Sequence, residues 1–396
     1  MVATEFLLDE LTRLESLHRR RFLKTVAQES AHRIRYGGRE LANFSSNDYL
    51  GLASDARVKA AAQAAIEAFH VSAGSSRLIC GNLEIHERLE SGLALLKMEE
   101  TALVFSSGYL ANLGIITALT GEGSQIFSDA LNHASIIDGC RLSRAQLFVY
   151  RHQDLDHLER LLQDAPAARR RLIVSDGVFS MDGDVAGLPG LASLASRHDC
   201  LLMLDEAHAT GVLGSTGAGV GEYFVERGQL PPGNDCIDVA MGTLSKALGS
   251  FGGFAACSSH LREFLINKAR PFIFATALPP SAAGAALESL KVLREEPFRR
   301  ESLWKNCRLL KKLLVQAGFS LAGSETPIIP LTFGTESAAL RMSERLLERG
   351  YFVPAIRPPS VPQGTSRLRI TVCATHSTDD IEGLARALGE LAQERE

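Results

Sequence analysis

A chain of 396 residues, 45% of them hydrophobic and 22% charged, is long enough to bury a large core and to divide into two domains. Its 46 acidic residues slightly outnumber its 42 basic ones, for a net charge of −4, so it carries no field that would draw it to nucleic acid or to a membrane, and neither is expected as a partner. Seven cysteines, scattered and without a C-x-x-C pair, read as reduced thiols of a cytoplasmic protein.

The N-terminus has no basic segment followed by a continuous apolar stretch, so no secretory signal is read there, and nothing approaches the roughly 20 apolar residues of a membrane span. From Phe6 to Ala27 the chain reads as an amphipathic arm, with Leu7, Leu11 and Leu14 at helical spacing ahead of Arg19-Arg20-Arg21. Those arginines are read as a solvated helix end, where cations complement the C-terminal dipole; a ligand role is the alternative. The segment Asn43-Phe44-Ser45-Ser46-Asn47-Asp48-Tyr49-Leu50-Gly51-Leu52 is polar and turn-forming between apolar anchors, and is not expected in the interior.

From about residue 100 to 260 short apolar runs alternate with amphipathic stretches, the α/β pattern of a mostly parallel sheet flanked by helices. Seven strands are expected, at 102–105, 125–127, 147–150, 172–175, 201–204, 237–241 and 253–257. The first runs into Ser106-Ser107-Gly108-Tyr109-Leu110-Ala111-Asn112, where small residues open a helix whose free N–H groups suit a phosphate. Ser107, Gly108 and Tyr109 are assigned to that phosphate, the alternative being that Gly108 only permits a turn.

The fifth strand ends in Asp205-Glu206-Ala207-His208, and ligands of open α/β sheets bind outside the carboxyl ends of strands. Read as the acidic box of a nucleic-acid motor, this run would need a G-x-x-x-x-G-K-[ST] loop, and no glycine precedes a lysine in this chain. The sixth strand leads into Gly242-Thr243-Leu244-Ser245-Lys246-Ala247-Leu248-Gly249, which sets one of nine lysines among small, uncharged neighbours. Desolvation disfavours the ammonium form, so such a lysine can lose its proton near neutral pH and form a Schiff base with an aldehyde, which points to pyridoxal phosphate. For this motif alone, a lysine that snorkels its charge to the surface is the alternative.

With that cofactor, Asp205 is the candidate to keep a pyridine ring protonated, and His208 the candidate to donate to its phenolic oxygen or to orient the carboxylate. A helix cap and a satisfied histidine are the alternatives for these two. Thr243 supplies a hydroxyl to the phosphate.

Pro279-Pro280 breaks the chain, and a helical stretch at 282–294 is read as opening a smaller domain. The expected organisation is an N-terminal arm (1–45), a large cofactor-binding domain (46–280) and a small C-terminal α+β domain (281–396). No H-E-x-x-H or cysteine–histidine spacing suggests a metal, and no G-x-G-x-x-G turn follows a strand, which argues against a nicotinamide dehydrogenase.

Together these features resemble the α-oxoamine synthases, a pyridoxal-phosphate family of the aspartate aminotransferase fold, fold type I. The resemblance covers the whole chain and is carried by the 43–52 segment, Asn132-His133-Ala134-Ser135, Val178-Phe179-Ser180-Met181-Asp182-Gly183-Asp184, Asp205-Glu206-Ala207-His208 and the Lys246 loop. The run from Ala355-Ile356-Arg357-Pro358-Pro359-Ser360 to Arg369-Ile370-Thr371 is most similar to the biotin-pathway member, which joins L-alanine to a pimeloyl thioester with loss of CO2. That member usually has threonine where Ser360 stands, so the hydroxyl that contacts substrate is retained. Relatives that use glycine with acetyl- or succinyl-CoA, or serine with long acyl chains, share nearly all these motifs, and an aminotransferase of the same fold is the more distant alternative.

The resemblance implies roles residue by residue. Lys246 holds the cofactor and serves as acid and base at the substrate α-carbon. His133 stacks on the pyridine face and positions substrate, with a helix cap as the alternative. Ser180 lies near the phenolic oxygen, while Asp205, His208 and Thr243 contact the cofactor. Asn47 and Arg369 grip the amino-acid carboxylate, Arg369 as a strand-face cation being the alternative. Arg21, with Arg19 a close rival, lies near the acyl substrate. The need to recognise a diacid adds Arg357 as a receiver of the far carboxylate. A homodimer with its sites between subunits is implied, with Thr276 reaching the partner's phosphate.

Overall fold

A computed structural model describes residues 4–233, 236–321 and 323–394. Residues 1–3 of the expected arm, 234–235 of the expected large domain, and 322, 395 and 396 of the expected C-terminal domain lie outside the described residues.

Each of the seven apolar runs forms a strand, and all join one sheet. They are β1 (Thr101–Phe105), β2 (Ser124–Asp129), β3 (Gln146–Tyr150), β4 (Arg170–Asp176), β5 (Leu201–Asp205), β6 (Val239–Thr243) and β7 (Gly253–Cys257), in the order β1-β7-β6-β5-β4-β2-β3. β7 runs antiparallel to both neighbours, and the other pairings are parallel. The residues of β2, β6 and β7 are buried without alternation, so both faces are covered; in β6 and β7 this appears in the sequence as a run with no polar alternation, while β2 also buries Ser124, Gln125, Ser128 and Asp129. Leu103, Ile126, Val174, Met203, Met241 and Ala255 share one core with Ile115 and Ile136, which lie on the helices α1 (Gly108–Leu119) and α2 (Ala134–Ser143).

The sixth strand starts two residues later than 237. Asp238 there spends its side chain on the edge of the ladder, its Oδ2 accepting from the Leu202 N–H at 2.8 Å.

By residue contacts the chain divides into two units, one of 50–180 and 184–300, the other of 1–49, 181–183 and 301–396. This division falls at 300/301, where the expectation was 280/281. Helix Pro280–Glu295 buries Ala283, Ala286, Val292 and Leu293 and packs on helices Ala56–Phe69 and Glu84–Lys97, so it belongs with the large sheet.

In the second unit the expected arm is not separate. Arg33–Tyr36 pairs antiparallel with Arg39–Asn43, which pairs in parallel with Tyr351–Phe352. A three-stranded sheet orders Ile328–Gly334, Ser366–Thr371 and Ala355–Ile356, and Leu310, Leu314, Ile370, Leu384 and Leu388 form its core.

Two local expectations are corrected. The arm helix spans Glu5–Ser16 and stops short of the arginines, so Arg19, Arg20 and Arg21 are not a helix end. The segment 43–52 is largely interior: Asn43, Phe44, Asp48, Tyr49, Leu50 and Leu52 are all buried. Its polar groups can be buried because they are bonded; Asn43 Nδ2 donates to Ala31 O and Ser45 Oγ to Phe352 O. Among the described residues no helix is long and apolar enough to cross a membrane.

Candidate active site

The carboxyl ends of β4, β5 and β6 open on a cavity of about 210 Å³ lined by Ser107, Gly108, Tyr109, Asn112, His133, Ser135, Asp176, Ser180, Asp205, Ala207, His208, Met241, Thr243, Ser245 and Lys246. Nine of the residues singled out in the sequence therefore meet there, drawn from five separate segments of the chain.

One end of the cavity is built from the start of α1. Ser107 caps that helix, its Oγ accepting from the Leu110 N–H at 3.2 Å. The cap leaves the remaining free N–H groups and the positive end of the helix dipole to a ligand. A Cβ at Gly108 would come 3.2 Å from Met241 Cε, and a Cβ at Gly253 would lie 2.6 Å from Gly108 Cα. The glycine at 253 thus lets β7 run directly under the mouth of the helix. Thr243 closes this end, but its hydroxyl donates to Gly252 O at 2.8 Å and accepts from Ser245 Oγ at 2.7 Å.

Asp205 also lines the cavity. It is 4% exposed; its Oδ1 accepts from the Ala207 N–H at 2.9 Å and its Oδ2 from Asn112 Nδ2 at 2.7 Å. Asn112 also donates to Ser135 Oγ at 2.8 Å, while its Oδ1 is buried with no hydrogen-bond partner. A cavity lined by an orphaned acceptor's residue, a helix N-terminus and a buried carboxylate fits a polar, anionic aromatic guest such as pyridoxal phosphate. Lys246 lines the same cavity and is half-buried.

His133 both caps a helix and faces the cavity. Its Nδ1 accepts from the Ser135 N–H as the cap of α2, and its ring still lines the cavity. Burial depresses its pKa, so the ring is held neutral. Its backbone N–H donates to Asp176 Oδ2 at 2.8 Å. Asp176 sits beside Asp205 in the β4–β5 register, and burial, followed by the charge of Asp205, pushes its carboxyl well above the usual range.

Sequence reasoning missed Asn112, Ser135, Asp176 and Ser245. For Asp176 a signal was available, since it follows an apolar run just as Asp205 does. Glu206 turns away from the cavity; its Oε2 lies 2.6 Å from Lys97 Nζ, and both side chains are buried. Thr276 is exposed, does not line the cavity, and accepts from Ser106 Oγ through its carbonyl.

The remaining candidates lie in the other unit. Arg369, 8% exposed, donates to Asn47 Oδ1 at 3.2 Å and to Thr371 Oγ1 at 2.9 Å. Arg19 is engaged by Glu336, with two nitrogens at 3.0 and 2.8 Å from one carboxylate oxygen. Arg21 instead donates to Pro358 O at 3.3 Å. Arg357 donates to the carbonyls of His18 and Arg20, and burial together with the charge of Arg21 lowers its pKa. Ser360 is exposed, its N–H on Arg357 O. Of the two rival arginines, Arg21 is therefore the one grouped with Arg357 and the Pro-Pro-Ser run.

Fold and site together define a pyridoxal-phosphate enzyme of fold type I. The family model for aminotransferase class I and II matches residues 39–388. The chain is 47% identical, over 97% of each sequence, to 8-amino-7-oxononanoate synthase of Lysinibacillus sphaericus, and it belongs to the family of 8-amino-7-oxononanoate synthases. Among solved structures it is similar to a serine palmitoyltransferase from S. paucimobilis with PLP and myriocin bound (TM-score 0.91, 32% identity, 99% of this chain and 98% of that one). It is also similar to 8-amino-7-oxononanoate synthase from Francisella tularensis (TM-score 0.76, 29% identity, 90% and 98%).

Proposed function

We propose that this chain condenses L-alanine with a pimeloyl thioester, carried on CoA or on an acyl carrier protein, to give 8-amino-7-oxononanoate, CO2 and free thiol for biotin synthesis. The observation that carries the reading is the cavity shared by Lys246 and Asp205 at the strand ends of a chain from this family. Bound pyridoxal phosphate supplies an electron sink for negative charge at the substrate α-carbon.

The protein's own groups do the rest. Lys246 would hold the cofactor through its amine and would serve as the base and acid for the proton at the α-carbon of alanine. Asp205 would keep the cofactor ring protonated. The amino end of α1, with Ser107, Gly108 and Tyr109, binds the phosphate, and Thr243 closes that pocket. The neutral ring of His133 would pack on the cofactor ring and orient it, while Ser180 and His208 would bind its phenolic oxygen. Asn47 and Arg369 grip the carboxylate of alanine. Arg21, Arg357 and Ser360 receive the acyl substrate, the two cations suiting the far carboxylate of a diacid. The enzyme acts in the cytoplasm as a homodimer with its sites at the interface, Thr276 reaching the partner's phosphate. Support for an interface comes from exposed Val71, Ile79 and Phe274, the last two lying close to the bridge between Ser76 and Thr276.

A panel of amino acids against acyl thioesters, scored by product mass, tests the reading. Alanine with a pimeloyl thioester gives the dominant product; dominant turnover of glycine with acetyl- or succinyl-CoA overturns it. Within that panel, Arg357→Ala lowers the preference for pimeloyl over a monoacid thioester of the same length by about tenfold, the worth of one charge-assisted contact. An unchanged preference removes Arg357 from the acyl site.

A further inference from the structure

His152 stands outside the cavity, in the connection between β3 and helix Leu155–Asp164. Its Nδ1 lies 2.9 Å from Asp129 Oδ1 and its Nε2 lies 2.9 Å from Asp184 Oδ2. A ring with a carboxylate oxygen at each nitrogen donates from both, which only the imidazolium can do. Burial opposes the charge, but hydrogen bonds to Asp129 and Asp184 outweigh it and raise the pKa to about 10. The ring also packs edge-on against Phe179, 4.4 Å between centroids at 86°.

Each carboxylate is tied to a different loop of the site. Asp129 ends β2; its Oδ1 accepts from the Leu131 N–H at 2.8 Å and its carbonyl from the Asn132 N–H at 3.3 Å, closing the turn that delivers His133. Asp184 closes the hairpin 178–185, where Val178 bridges Val185 and the Phe179 N–H donates to Asp184 O at 3.1 Å. Ser180 sits at the bend of that hairpin, next to the Phe179 that His152 touches. Gln153 repeats the connection, its N–H on Asp129 Oδ2 at 2.9 Å and its side-chain amide on Asp184 Oδ2.

We infer that His152 is a positioning residue: by bridging Asp129 and Asp184 it clamps the turn that presents His133 to the hairpin that presents Ser180, and so sets the affinity for pyridoxal phosphate. The inference rests on the proposed reading of His133 and Ser180 as cofactor contacts. It assigns His152 no contact with cofactor or substrate.

The test is a double-mutant cycle read by titrating apoenzyme with pyridoxal phosphate and following the visible band. His152→Phe keeps a ring against Phe179 and removes both hydrogen bonds. It is expected to raise the dissociation constant about tenfold in the native background, but no more than about twofold when Ser180→Ala and His133→Asn are already present. Asparagine at 133 retains a helix cap. A constant unchanged by His152→Phe overturns the clamp, and so does the same tenfold loss in both backgrounds, which would mark general loosening. If the phenylalanine variant does not fold, His152→Gln, which keeps one donor pair, replaces it in the cycle with about threefold expected, subject to the same two overturning results. Should Ser180→Ala with His133→Asn alone leave the affinity unchanged, the reading of those two residues falls and takes the clamp with it; normal weakening there beside an unaffected His152 variant sinks the clamp alone.

Discussion

Lys246→Ala abolishes the visible absorption band that borohydride bleaches and lowers condensation by at least about 10⁴-fold, the upper end of what a positioned acid–base group contributes. No other lysine takes its place, because none of the other cavity-lining side chains is a lysine. Soluble expression and the far-ultraviolet spectrum are retained: Lys246 is half-buried on the cavity wall, while the neighbouring Leu244, Ala247 and Leu248, which are fully buried, carry the local packing. Affinity for pyridoxal phosphate falls without vanishing, since on the proposed reading the helix mouth and Asp205 remain as contacts. The checks are absorbance, peptide mapping of the borohydride-labelled wild-type protein, and product mass. Label on a different lysine, or turnover within about tenfold of wild type, removes Lys246 from the chemistry.

Strands such as β5, β6 and β7 were legible because burial on both faces leaves apolar runs without polar alternation, and the strand ends were legible because acids and small residues follow those runs; β3, exposed along most of its length, shows the same apolar character without that burial. Less was legible where a partner lies far along the chain. Arg19 and Arg21 look interchangeable as neighbours; Glu336, 317 positions from Arg19, and Pro358, 337 positions from Arg21, tell them apart. The segment 43–52 reads as surface because its polarity is visible and its bonds to Ala31 and Phe352 are not. Helix Pro280–Glu295 is plain from its pattern, yet no pattern says which unit its apolar face joins. Asp176 is a different case: like Asp205 it sits at a strand end, so the same rule reaches it, and only its place beside Asp205 in the register shows its weight.

That neighbour shapes the outcome expected at Asp205. Asp205→Asn conserves volume and lowers turnover by about 10²–10³-fold, the scale of losing one preorganised electrostatic partner, while the protein stays folded. The carboxylate accepts from Ala207 and from Asn112, so an amide nitrogen in its place must face one of those donors. Asn112 can relieve the clash by turning its amide, because its Oδ1 is buried without a partner. Stability gains as well. Asp176 has its pKa raised by burial and then by Asp205; a carboxyl raised in the folded state contributes stability below its unfolded pKa and loses it as pH climbs through the folded value. Removing the charge at 205 brings that folded value down, so near neutral pH, where Asp176 costs stability, the variant apoenzyme melts no lower than wild type even as activity collapses. Thermal melts of the two apoenzymes at acid and neutral pH, beside turnover of the loaded enzymes, separate the effects. A variant that keeps turnover within about threefold removes Asp205 as the holder of the ring proton, and one that melts well below wild type at neutral pH shows that the two carboxyls do not oppose each other.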